Sequence, residues 1–473
     1  MIGLRHLFTL ILISFGYASA YSQRMPASSS VAPLKNALLG ISVRDADTGK
    51  EILSQNSHVL FTAASVMKVI TTATALEVLG ADYRFSTEVR YTGTIEKGGI
   101  LNGDLYIIGG GDPSLGSRFL TNTPQDTLFS AVLKELKALG IRQIVGRVLA
   151  PVSEADLFSI NPYWLHTDLG NHYAPHVSRL CLYDNAYSLT IYRDKRNVRV
   201  FPNVPELNIR QSFEVSGRKS TDSLHITGAL NSYERTVYGL FPADKESVTI
   251  RGSIPSPALF AARRLTSVLR QNGVSIALPA DQTMDFPSEA ILLYRHLSPT
   301  LLEIAKITNV HSHNLFAEQL LLAIASPQGK HLAGQNIFQK ALADLEAYWT
   351  GRGLSLKEAD LMDGSGLSPY GRLSPAFLSE LLAKEHRSPR GALFRSTLPF
   401  VGQDGSVKNF LKNSSLAGKA QLKSGSMRQV VTYAGYIPYK GKTYAVCIMV
   451  NNHNSTYRAT RDVVGKVLLS MFP

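Results

Sequence analysis

Cysteine is almost missing from this chain: Cys181 and Cys447 are the only two in 473 residues. A disulfide-stapled scaffold needs several closely spaced cysteines, so the fold must rest on a hydrophobic core. Cys447 lies in TYAVCIMVNN, an apolar strand pattern where a buried free thiol is the usual state, and a bridge to Cys181 is the alternative. Dense Lys/Arg runs are also missing, although the formal charge is +13. Scattered positive charge excludes a nucleic-acid arm and suits an anionic polymer such as cell wall or a membrane surface. There is no internal repeat and no low-complexity tract, which excludes a solenoid or a disordered chain. His172 and His176, and His311 and His313, lack companion Asp, Glu or Cys at ligand spacing, so no metal site is expected. GGGDP lacks both the dinucleotide and the Walker spacings and reads as a turn.

Long apolar runs are scarce. The one that stands out is at the start, where MIGLRHLFTLILISFGYASA combines Arg5, an apolar stretch from Leu7 to Phe15 and an Ala-Ser-Ala ending. Residues 1–20 therefore read as a secretory signal peptide, too short to span a bilayer, and YSQRMPASSS as a flexible leader. An exported protein without a transmembrane anchor is expected. The rest of the chain, 44% hydrophobic and 18% charged overall, is ordinary for a globular protein, and its length suggests roughly three domains.

LLGISVRDADTGKEILSQ reads as a β-hairpin, followed by FTAASVMKVITTATALEVLG, a helix that is apolar nearly all round and is stopped by Gly80. After about Tyr83 short strands dominate, with helices starting at Thr123-Pro124 and running from Pro257 to Asn272. From Ser298-Pro299 the chain turns helical; it then ends in the strands GKAQLKSG, VVTYAGYIP and KTYAVCIMV and a final helix from about Ser455. The expected fold is α+β: residues 21–82 and 286–473 form one domain whose antiparallel sheet comes from both chain ends and is flanked by helices, and 83–285 form a large β-rich insertion.

Within the apolar helix, Ser65 and Lys68 are three residues apart and share a face. On spacing alone two readings stand: a capping serine with a lysine snorkelling to water, or a serine nucleophile with a buried lysine as its base. A nucleophile needs further groups. Two later stretches supply candidates, Ser312-His313-Asn314 in NVHSHNLFAEQLL and Lys423-Ser424-Gly425 in QLKSGSMRQ.

S-x-x-K, S-x-N and K-[ST]-G in that order resemble the active-site set of penicillin-binding proteins and β-lactamases. LYIIGGGDPSL, YAPHVSRLCLYDNAYSL, SHNLFAEQLL, DGSGLSPYGRLSP and LKSGSMRQVVTYAGYI, with the long insertion, narrow this to low-molecular-mass D-alanyl-D-alanine carboxypeptidase/endopeptidases of the DacB type. The departures are His313, where that family often has Asp, and Ser424, where it usually has Thr. DGSGLS is read as a structural turn.

The resemblance implies a transpeptidase/β-lactamase-like domain, no cofactor, peptidoglycan peptides ending in or crosslinked through D-alanine as substrates, and β-lactams as inhibitors. It implies Ser65 as nucleophile, Lys68 as its base, Ser312 as proton relay, and Asn314 bonded to Lys68 and the substrate amide. Lys423 and Ser424 would hold the terminal carboxylate, in a K-S-G strand completed by Gly425, and the N–H groups of Ser65 and Ser426 would form an oxyanion hole. Neutralising a lysine of ordinary pKa costs roughly 4–5 kcal/mol, for which burial and the second cation, Lys423, are the available causes. A β-lactamase or esterase with the same motifs, and a silent wall-binding protein, are the alternatives.

Overall fold

The computed structural model describes residues 34–120, 127–153, 156, 160–217, 223–229, 231–326 and 337–473. The expected signal peptide and leader, and the helix start at Thr123-Pro124, lie outside the described residues; the helix itself is described over Thr127–Ala138.

Two stretches from the start of the chain and three from its end form one antiparallel sheet. They are β1 (Leu38–Asp45), β2 (Glu51–Gln55), β3 (Gln421–Met427), β4 (Val430–Tyr439) and β5 (Lys442–Asn451), in the order β2-β1-β5-β4-β3. Alternation along β4 and β5 shows why these strands read as continuous apolar runs. Ala434, Tyr436, Cys447 and Met449 enter one core, whereas Tyr433, Ile437, Val446, Ile448 and Val450 enter another on the opposite face. A strand buried on both faces has no polar side to alternate with.

The first face is covered by α1 (Met67–Leu79), α2 (Leu301–His311), α3 (Asn314–Ala325) and α4 (Pro375–His386). The second is covered by α5 (Tyr457–Met471), through Val463, Val464, Val467 and Leu468. Helix α1 is buried from Met67 to Leu76, which is why its sequence shows no polar stripe. It is also shorter than the apolar run suggests. Phe61–Thr62 is extended and pairs with Arg372–Leu373, and a 3₁₀ turn over Ala64–Val66 leads into the helix.

The segment between α1 and α2 builds its own core, spanning Val89 to Ile276, from mixed sheets and the helices Thr127–Ala138 and Pro257–Gln271. Strand Ile291–Leu297 pairs with Ser86–Tyr91 and so joins that segment's five-stranded sheet. No helix among the described residues is long and apolar enough to cross a membrane.

Both cysteines are free and buried. Burial pushes the Cys181 thiol up to about 12 and the Cys447 thiol higher still, so neither is a thiolate at neutral pH. Native protein should therefore resist a thiol-specific reagent, release two reactive thiols on denaturation, and show the same melting temperature with and without reductant. One thiol or none after denaturation, or a reductant-sensitive melting temperature, would show a bridge.

Candidate active site

Ser65 stands where an extended segment turns sharply into a helix. The Thr62 N–H donates to Asn451 Oδ1 at 2.7 Å, and the Thr432 hydroxyl donates to the Ala63 carbonyl at 2.9 Å. Between these anchors and the helix, Ala64 is held at φ +49°, the left-handed region that non-glycine residues avoid. Strand β3 packs directly against this turn. A Cβ on Gly425 would lie 2.3 Å from Thr432 Oγ1 and 2.8 Å from the Ser65 amide nitrogen, so the close approach requires glycine.

Lys68 does not snorkel. Its side chain is 0% exposed, and Nζ donates to Ser65 Oγ at 2.9 Å, Asn314 Oδ1 at 2.7 Å and the Ser365 carbonyl at 2.6 Å. Nor does Ser65 make a capping bond to the helix it precedes. Burial lowers the Lys68 pKa to about 7, against the opposing pull of the Asp363 and Glu318 carboxylates. The second cation acts mainly in the other direction: Lys423 is lowered by its own burial and then by the charge of Lys68.

The second serine–lysine pair lies opposite. Ser312 joins α2 to α3 in a left-handed conformation (φ +56°, ψ +44°), and Asn314 opens α3. Lys423 Nζ donates to Ser312 Oγ at 2.9 Å and also to the Ser424 carbonyl. Ser424 Oγ is 2.8 Å from the hydroxyl of Ser406. Asn314 uses its Nδ2 to donate to the Tyr173 carbonyl at 2.6 Å.

A cavity of about 510 Å³ is lined by Ser65, Ser312, Asn314 and Ser426, with Asp168, Tyr173 and Arg428 on its walls. Lys68 and Lys423 lie behind that lining, fully buried. Four of the eight expected site residues, Ser65, Ser312, Asn314 and Ser426, line this cleft; Lys68 and Lys423 bond to the lining hydroxyls from beneath, and Ser424 and Gly425 continue strand β3 between Lys423 and Ser426.

The sequence reading misses several partners. DGSGLS is more than a turn: the Ser365 carbonyl holds Lys68, and the segment is shaped by buried acids on either side. The N–H groups of Gly364 and Ser365 donate to Glu318 Oε1 at 3.1 and 2.9 Å, and those of Gly366 and Ser368 donate to Asp363, each at 2.7 Å. Burial, then Asp363, raises the Glu318 pKa to about 8. A backbone carbonyl such as that of Ser365 or Tyr173 has no side-chain signature. Asp168 and Ser406 sit in ordinary loop sequence. Glu318, four residues after Asn314 on one helix face, is the partner that spacing could have suggested. Among the described residues no group of three or more His, Cys, Asp or Glu is placed to hold a metal.

A serine in the turn that opens a buried helix and a lysine in that helix's first turn, set against the edge of an antiparallel sheet that carries a second lysine, define the serine penicillin-binding and β-lactamase class. Over residues 27–469 the chain matches the D-Ala-D-Ala carboxypeptidase 3 (S13) family, and it belongs to that family of serine-type hydrolases. A D-alanyl-D-alanine carboxypeptidase of Actinomadura sp. is 28% identical over 455 residues, covering 89% of this chain and 79% of that protein. The DacB carboxypeptidase of Haemophilus influenzae is 23% identical over 451 residues, covering 92% and 88%. Among solved structures, penicillin binding protein 4 (dacB) of H. influenzae superposes with TM-score 0.74 at 23% identity, covering 96% of this chain and 98% of that one. A predatory peptidoglycan endopeptidase of Bdellovibrio bacteriovorus superposes with TM-score 0.52 at 15% identity, covering 92% and 93%. The fold is accordingly the transpeptidase-like α+β fold with an insertion.

Gly425→Ala should lower stability by about 1–3 kcal/mol, because the new methyl group overpacks the contact between β3 and the serine turn. Gly351→Ala is the control: a Cβ there meets nothing within 4 Å, so the change should be within about 0.5 kcal/mol. Denaturant unfolding of both variants checks this. Equal stabilities would mean that the strand and the turn are not in contact.

Proposed function

We propose that the protein is an exported D-alanyl-D-alanine carboxypeptidase and/or endopeptidase that cleaves peptidoglycan peptides through an acyl-enzyme on Ser65. The observation that carries this reading is Lys68: fully buried, 2.9 Å from Ser65 Oγ, with its pKa brought to about 7 by desolvation. At neutral pH a large fraction is uncharged and can take the serine proton as Oγ attacks the carbonyl between two D-alanines. Ser312, bridging Lys423 and the cleft, relays the proton that Lys68 has taken from Ser65 to the departing amine, which leaves Lys68 neutral again. Asn314 fixes Lys68 through Oδ1; one N–H of its amide is committed to Tyr173, and the other is left for the substrate.

Lys423 and Ser424 receive the terminal carboxylate. Among the described residues Lys423 has no acidic hydrogen-bond partner, so an arriving carboxylate raises its pKa and draws the charged form into the site. Ser406 fixes the Ser424 hydroxyl in this arrangement. The N–H groups of Ser65 and Ser426, residues that line the same cleft, take the oxyanion. Asp168 and Arg428 give the walls opposite charges, which fit a peptide bearing amino and carboxylate groups better than an apolar ester. Family membership, and the β-lactam complex known for the H. influenzae relative, support β-lactams as inhibitors and an extracytoplasmic location. We set the insertion at residues 83–297 rather than 83–285, following the pairing of Ile291–Leu297 with Ser86–Tyr91.

Incubation with penicillin should leave one covalent adduct, located by peptide mapping at Ser65. Its formation rate should drop by about tenfold per pH unit well below pH 7, as Lys68 becomes protonated and Ser65 loses its proton acceptor. An adduct elsewhere, or none, rejects the mechanism and favours a silent wall-binding protein. Mass spectrometry of products from purified muropeptides then distinguishes release of D-alanine from splitting of crosslinks.

Lys68→Ala should abolish acylation by any substrate, charged or not. Lys423→Ala should weaken acylation by carboxylate-bearing ligands by about 2–5 kcal/mol more than acylation by a matched amide or ester analogue. Acylation rates for such a pair measure the difference. Equal losses would remove Lys423 from carboxylate recognition.

A further inference from the structure

The insertion reaches the S-x-N motif through a side chain that the motif does not include. Ser312 is left-handed, His313 is extended (φ −79°, ψ 115°) and Asn314 is helical, so the backbone changes region at each step. The placement of the Ser312 hydroxyl and the Asn314 amide therefore depends on what holds the residue between them. The His313 side chain is nearly buried; its Nε2 lies 3.5 Å from Asp184 Oδ1, and its ring packs against Phe119 and Phe316.

Asp184 is held just as firmly. It is 2% exposed, and its Oδ2 lies 3.3 Å from Arg251 Nη2 and 3.7 Å from Arg118 Nε. The Arg118 guanidinium lies over the Phe119 ring at 4.5 Å, and Phe119 stacks on His311 at 4.2 Å. Burial on its own would raise the Asp184 pKa, but His313, Ser117 and Arg251 bring it down to about 2, so the carboxylate stays charged. Its backbone is strained as well. Tyr183, Asp184 and Asn185 have φ of +56°, +59° and +48°, three successive left-handed residues. Asn185 pins this turn, accepting from the Leu182 N–H at 3.0 Å and donating to the His176 carbonyl at 2.9 Å. Strain maintained around one charged group points to a task for that group.

We infer that Asp184 is a positioning residue for acylation: from the insertion it holds His313, and through it Ser312 and Asn314, within reach of Lys423 and Lys68. The inference deepens the reading of Ser65 as the nucleophile and rests on it. Asp184 does not line the cleft, so it acts without touching substrate.

The test uses the full chain, with stopped-flow acylation by a chromogenic cephalosporin. Asp184→Asn keeps the turn, because asparagine tolerates the left-handed region as aspartate does, and removes the charge. The acylation rate constant should fall about 10- to 100-fold, with non-covalent binding of the cephalosporin unchanged. His313→Asn should fall by a similar factor, and the double variant should be no worse than the poorer single variant, since both act through one contact. If Asp184→Asn does not fold, His313→Asn and His313→Gln carry the test from the motif side. A lower melting temperature with unchanged acylation per folded molecule, or losses that multiply in the double variant, would overturn the inference. An unmodified protein that forms no Ser65 adduct would overturn the mechanism beneath it, and that control separates the two failures.

Discussion

Burying the ammonium group of Lys68 is the constraint around which the rest of the site is arranged. Bringing a lysine from its ordinary pKa of 10.5 to about 7 corresponds to about 5 kcal/mol of discrimination against the charged form. The helix supplies it by placing the amine at a depth no water reaches. What contacts the amine is neutral: a hydroxyl, an amide oxygen and a backbone carbonyl. The nearby carboxylates of Glu318 and Asp363 pull the opposite way, and an ionised pair there would restore the charge. Glu318 offsets this with a pKa that burial and Asp363 raise despite the two backbone N–H groups its Oε1 accepts, and its Oε2 has no hydrogen-bond partner among the described residues.

Depth of that kind needs a frame that excludes water from every side. The sheet provides one wall and is covered on both faces, so β3 cannot shift outward without opening a core. Gly425 sets how near that wall comes to Ser65. The insertion closes the remaining side. The Tyr173 carbonyl takes the Asn314 amide, Trp164 Nε1 donates to Asp363 at 2.9 Å, and the Asn161 amide donates to the Met362 carbonyl at 2.9 Å. Although it has a core of its own, this segment therefore supplies bonds that fix residues in contact with Lys68.

The two lysines differ in environment more than their motifs suggest. Lys68 has carboxylates near it and keeps a pKa close to neutrality, whereas Lys423 is buried among hydroxyls and a carbonyl and also faces Lys68. In such a pair the group with no acid nearby gives up its proton more readily. In the mechanism we propose, the same chemical type would serve two purposes in one cleft: one amine accepting a proton, and the other receiving a ligand's negative charge.

Much of this was legible in the sequence, because periodicity and order survive in one dimension. The all-round apolar pattern after Phe61 identifies a buried helix, the apolar run around Cys447 identifies a strand with a buried thiol, and three short motifs in order identify the chemistry. Spacing also places Ser65 and Lys68 on one face. What it could not decide is whether that lysine reaches water or stays dry, since burial depends on segments hundreds of residues away. Nor could it find the Ser365 and Tyr173 carbonyls, which every residue type carries equally, or the pairing of Asp184 with His313 across the insertion. Phe61–Thr62 follows the same rule: read locally it continues a helix, but Arg372–Leu373 and the bond from Thr62 to Asn451 hold it extended. Local sequence determined which elements form and which chemistry they bring. Only the tertiary structure decided how dry that chemistry is, because desolvation depends on every atom packed around a group and not on its neighbours in the chain.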